Sequence, residues 1–188
     1  QYALKLSDGA LVPFEQHEYW ISPANPDGRR LLLEAYKELV AKYPVDGVQL
    51  DYIRFPFQKP YQRAGFDKPS RDRFLAETGF DIYAEMGPKV LALWTAWKAQ
   101  QVSDFVRDTS RELKAIRPDL KLSAAVFPLP RDARIANIQQ DWETWIANGW
   151  IDILVPMVYT KSPSQLATQL SVIQKAAANG ALVYPGLG

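Results

Sequence analysis

The sequence predicts an α/β protein whose strands run parallel in a barrel-type sheet. Helix-like and strand-like segments alternate along most of its 188 residues, the order expected of parallel strands joined by right-handed crossovers. The segment 46–51 also alternates strictly, with Val48 and Leu50 on one face and Gly47, Gln49 and Asp51 on the other. In a parallel barrel the first face packs under helices and the second points inward. Asp51 then lies at the carboxyl end of its strand, followed by Tyr52 and Arg54, at the mouth where such barrels keep their chemistry.

Residues 1–25 hold a turn signal, Ser7-Asp8-Gly9, and read as a small hairpin or extended loop. Asn25-Pro26 opens a helix, with Asp27 in its first turn and an apolar face of Leu31, Leu32, Ala35, Leu39 and Val40; it ends near Tyr43-Pro44. The strand at 46–51 follows, then a Pro- and Gly-containing loop over 55–70 and a short helix, 70–77, stopped by Gly79. A long helix is predicted from Pro88 to Arg117, with Val90, Trp94, Trp97, Phe105 and Leu113 at helical spacing. The second strand is expected over 121–127, the next helix over 139–148, the third strand over 151–156 continuing toward Tyr159, a helix over 163–178, and a fourth strand over 181–185. Four such strands do not close a barrel of eight, so the expectation is one domain, residues 1–188, holding an incomplete barrel.

Composition narrows the function. Lys and Arg number 22 against 21 Asp and Glu, and no basic run stands out, which argues against nucleic acid. No apolar stretch is long enough for a membrane span. The chain has no Cys, which removes disulfides, thiolate nucleophiles and Cys-based metal sites and fits an exported protein. Six Trp, nine Tyr and eight Phe are compatible with a carbohydrate site, since sugars stack on aromatic faces. No metal or organic cofactor is indicated. The chain begins at Gln1 and carries no signal-peptide pattern, as expected of a processed or excised piece.

The run Asp46-Gly47-Val48-Gln49-Leu50-Asp51-Tyr52-Ile53-Arg54-Phe55-Pro56 resembles the signature of the glycoside-hydrolase-like family 10, bacterial (β/α)8 proteins distantly similar to the α-amylase clan. The likeness extends to Tyr19-Trp20-Ile21-Ser22-Pro23-Ala24-Asn25-Pro26, to Trp94 and Trp97 with the helix up to Pro118, and to Asp141-Trp142-Glu143-Thr144-Trp145, Gly149-Trp150-Ile151-Asp152 and Pro156-Met157-Val158-Tyr159. It implies that the strands are the fourth to seventh of a TIM barrel, whose remainder is a candidate partner. It also implies a glycosidase acting on a bacterial polysaccharide, with peptidoglycan glycan as the leading substrate class, in a periplasmic or extracellular setting.

Glycoside hydrolysis normally uses two carboxyl groups, ~5 to 5.5 Å apart for retention and ~6.5 to 9.5 Å for inversion. Asp51 aligns with the nucleophile of the related clan; its structural alternative is a pair with Arg54 that holds the loop. The related clan places a Glu at the end of the next strand, but here that strand ends Ala124-Ala125-Val126-Phe127-Pro128 without an acid. Asp141 is the chosen second acid, against the alternative of a helix cap; Glu15, Glu18 and Glu143 are further candidates. Trp20, Tyr52, Arg54, Phe127, Trp142, Met157 and Tyr159 are candidate substrate contacts, with Arg54 able to clamp a substrate carboxylate or orient Asp51. His17 is a weaker candidate. Asp46 and Asp152 begin strands at the far end of the barrel and read as structural. The competing function is a noncatalytic glycan-binding module on a degenerate barrel.

Overall fold

The computed structural model describes residues 2–12, 19–57, 64–178 and 180–187. Its elements are α1 (Pro26–Lys42), β1 (Gly47–Leu50), α2 (Lys68–Thr78), α3 (Pro88–Ile116), β2 (Lys121–Val126), α4 (Arg131–Ile138), α5 (Trp142–Ala147), β3 (Ile153–Val158), α6 (Pro163–Ala177), β4 (Leu182–Val183) and β5 (Gly186–Leu187). The sheet runs β1-β2-β3-β4, and every pair is parallel. The fold is therefore α/β with a parallel sheet in sequential order, as the alternation predicts for part of a barrel.

Local chemistry explains the helix starts. Asn25 Oδ1 accepts the amides of Asp27 and Gly28 at 3.0 and 3.2 Å, satisfying orphan donors of the first turn. Asp67 does the same for Ser70 at 3.2 Å, and Gly79 closes α2 in the left-handed conformation with φ 77°. Val102, Phe105, Val106 and Leu113 of α3 belong to the same buried core as Leu50, Leu122, Ala124 and Leu154 of the sheet. Trp94 stacks on Trp97 at 5.0 Å, and Trp145 donates to Ser103 Oγ at 2.8 Å. These tryptophans pack in the core, as their helical spacing suggests.

The N-terminal segment forms antiparallel bridges, Ala3 with Ile21 and Lys5 with Leu11. Asp152, at the amino end of β3, holds Lys114 Nζ at 2.9 Å and the Leu122 amide at 2.9 Å. Its role is structural, as the strand position suggests.

Two element boundaries need correction. The helix predicted over 139–148 is the shorter α5, and α4, which the pattern does not predict, precedes it; Gln139, Gln140 and Asp141 separate the two. Gln139 adopts φ 53°, a left-handed cap that usually falls to Gly or Asn, so the sequence gives little sign of the break. The strand predicted over 181–185 is only the two-residue β4, and β5, which the pattern does not predict, follows Tyr184-Pro185. Both segments pair with β3, at Ile153 and Leu154 and then at Met157 and Val158. Pro185 has no N–H to donate and breaks the ladder between them.

Candidate active site

The parallel register carries the site. Leu50 pairs with Ala124, and Ala124 with Leu154. Because these residues are buried beneath the helices, the neighbours of opposite parity face the barrel interior. Asp51, Phe127, Met157 and Tyr159 share that parity at the carboxyl ends of β1, β2 and β3.

Asp51 is exposed, and its Oδ1 accepts the amide of Tyr52 at 2.7 Å. Tyr52 has φ 51°, uncommon for a residue with a side chain, and this turn sends the chain sharply out of the strand. The Tyr52 ring meets Trp20 edge-on at 5.5 Å. Arg54 lies inside this corner, 8% exposed. Its guanidinium is 5.0 to 5.4 Å from the ring centres of Trp20, Tyr52, Phe57 and Phe127, the geometry of a multiple cation–π contact. Burial lowers the Arg54 pKa, and the nearby Tyr52 and Asp51 act in the opposite direction. The structure thus brings together Asp51, Trp20, Tyr52, Arg54 and Phe127.

Trp20, Asp51, Tyr52 and Arg54 border a cavity of about 340 Å³ that continues toward Leu32 and Tyr36 of α1. Asp51 is the one carboxylate among its described lining residues. Glu15, His17 and Glu18 fall outside the described residues.

Two expected site residues take other roles. Trp142 is fully buried, with its indole donating to the Phe127 carbonyl at 3.3 Å and Arg134 over its ring at 4.2 Å. No face is left for a sugar, so the expected stacking there is corrected to core packing. Asp141 does not cap α5 through its side chain. It receives Arg131 Nε and Nη2 at 2.9 and 2.7 Å and the Thr144 hydroxyl at 2.8 Å. Burial alone would raise its pKa; the bonds from Arg131 and Thr144 and the charges of Arg131 and Arg134 outweigh that and lower it. A carboxylate held ionised is the reverse of what a proton donor needs, so the expected acid role is corrected to an ion pair. Glu143 pairs with the fully buried Arg134.

Met157 is half-buried on β3, and Tyr159 is exposed beyond it. Sequence reading missed Phe57, which closes the ring around Arg54 and meets Phe127 edge-on at 4.7 Å. It also missed Gln140. That fully buried amide donates to the carbonyls of Ile53 and Ala125 at 3.3 and 3.2 Å and accepts the Phe127 amide at 2.9 Å. It ties the ends of β1 and β2 together at the mouth. Its one sequence signal is a glutamine pair where helix periodicity fails.

The glycosyl hydrolase-like 10 family model matches residues 9–183. The chain is 22% identical over 170 residues to glycosyl hydrolase YngK of Bacillus subtilis (strain 168), covering 78% of this chain and 31% of that protein. It is 24% identical over 176 residues to glycosyl hydrolase DigH of Escherichia coli (strain K12), covering 82% and 37%. The chain therefore spans about a third of these relatives. The PgaB (BpsB) glycoside hydrolase domain from Bordetella bronchiseptica superposes with a TM-score of 0.71 at 14% identity, over 93% of this chain and 52% of that one. With 175 of its residues inside the family match, the chain belongs to the glycosyl hydrolase-like 10 family.

Proposed function

We propose that this protein hydrolyses glycosidic bonds of a bacterial polysaccharide, with peptidoglycan glycan as the first substrate class to try and an exported location. Asp51 serves as nucleophile or as the charge that stabilises an oxocarbenium-like transition state. The observation that carries the reading is the exposed Asp51 carboxylate at an interior-facing strand end, beside a cavity bordered by Trp20 and Tyr52. Family membership and the glycosyl hydrolase names of the relatives support it. Residues 1–188 are one barrel-type domain in this reading, completed by the remainder of the barrel, and Phe127, Met157 and Tyr159 extend the sugar-contacting surface along the mouth. Glu15 and Glu18 are the candidates for the proton donor that Asp141 does not supply.

The noncatalytic glycan-binding reading is favoured by one observation: Asp141 is committed to Arg131, and the described cavity holds a single carboxylate. The deciding experiment incubates the intact protein with purified glycan strands and follows new reducing ends by mass spectrometry. Asp51→Asn should abolish their formation and leave stability within about 1 kcal/mol, since the side chain is exposed. Glycan retention without cleavage by the parent protein would establish the binding module instead.

A further inference from the structure

Arg54 has donor capacity that the described residues do not use. A guanidinium offers five N–H donors, and Arg54 spends one on the Phe55 carbonyl at 3.1 Å. No carboxylate among the described residues lies within ion-pair distance of it. Asp51 is near enough to influence its charge, yet its bonded oxygen takes the Tyr52 amide. None of the Arg54 nitrogens is among the buried, unbonded polar atoms, so the unbonded ones are open to solvent. For a side chain 8% exposed that borders the cavity, the opening is the cavity itself. Arg29, the other cation on the lining, is paired with Asp108 at 3.1 Å.

A mostly buried cation with no anionic partner among the described residues is costly. The four surrounding rings favour its charge and restrain its plane, so the fork is ordered before a ligand arrives. A planar, singly charged carboxylate matches that fork with two parallel bonds. A phosphate dianion would bring a second negative charge into the cavity that Asp51 already borders.

We propose that Arg54 is the recognition site for a carboxylate carried by the glycan, so that the protein selects acidic sugars. This rests on the reading that a glycan occupies the mouth. The carboxylate belongs to a uronic acid or to a lactyl ether on an amino sugar; both present the same group.

Titration calorimetry on the intact protein with thio-linked, uncleavable tetrasaccharides tests this. The probes are matched pairs, each as the free acid and as the carboxamide, one of the uronate type and one of the lactyl type. The expected result is at least fivefold tighter binding of one acid than of its own amide, with the gap closing in Arg54→Gln and as salt is raised. The pair that shows the gap identifies the source of the carboxylate. Acids and amides that bind within fivefold of each other overturn the carboxylate site and leave the glycan reading standing. Absence of binding by all four overturns both. The acid–amide comparison on the unsubstituted protein needs no variant, so a poorly folded Arg54→Gln does not block it.

Discussion

Arg131 grips Asp141 through two parallel hydrogen bonds, Nε to Oδ1 at 2.9 Å and Nη2 to Oδ2 at 2.7 Å. The pair fixes the segment between α4 and α5 and takes the carboxylate out of proton chemistry. Because the folded pKa lies below the ordinary 3.8, the ion pair stabilises the fold above that value, and the stabilisation is lost as pH falls through the folded pKa. Arg131 is half exposed, so solvent screens the pair. Asp141→Asn should cost about 1 kcal/mol at pH 7. The cost should shrink below about pH 4. Urea titrations of parent and variant at several pH values measure this; a cost unchanged down to pH 3 would contradict it.

Gln140→Leu should be more damaging. Leucine fills similar volume, but the carbonyls of Ile53 and Ala125 and the amide of Phe127 lose their partner. Buried groups left unbonded cost about 1 to 3 kcal/mol each, partly relieved by water. The expected loss is about 2 to 4 kcal/mol, with faster hydrogen exchange at Phe127. A variant as stable as the parent would show that the mouth does not depend on this amide.

Gly47→Ala tests the sheet. A Cβ on Gly47 would lie 2.6 Å from the Lys121 carbonyl oxygen, a backbone atom in the ladder that pairs Gly47 with Lys121. Neither strand can yield without losing register. A thermal midpoint lower by several degrees is expected, in line with about 2 kcal/mol of overpacking. An unchanged midpoint would mean that β1 and β2 separate more easily than their pairing implies.

The fold was legible where periodicity and caps agree. The strict alternation of Gly47 to Asp51, the Asn25-Pro26 start and the Gly79 stop each carry a local physical reason, and each appears in the structure close to its expected position. The left-handed Gln139 was not legible, because its conformation follows from the tertiary demand that Gln140 reach two strand ends. The site was half legible. Strand parity places Asp51 and Phe127 inward, but it does not reveal that Trp142 turns under Arg134 or that Asp141 meets Arg131 ten residues away. Those outcomes depend on packing between segments, which a one-dimensional pattern does not encode.

Lys98 provides the sharpest pH prediction. It lies in α3 at 1% exposure, with Nζ donating to the Ala64 carbonyl at 3.2 Å and lying 4.8 and 5.8 Å from the rings of Phe55 and Trp94. The loop between β1 and α2 thus meets this one amine from both its ends. Burial pulls the Lys98 pKa from 10.5 down to about 7. Between those values the unfolded chain holds a proton that the folded chain has released, so folding stability rises with pH across the window and is flat below it. The rise attributable to Lys98 is on the order of 5 kcal/mol. Lys98→Met keeps the length and removes the titrating group. Stability curves of parent and variant should therefore diverge from about pH 7 to pH 10, the parent gaining relative to the variant. Parallel curves over that range would show that the amine keeps its proton in the fold, held by the Ala64 carbonyl and the two rings.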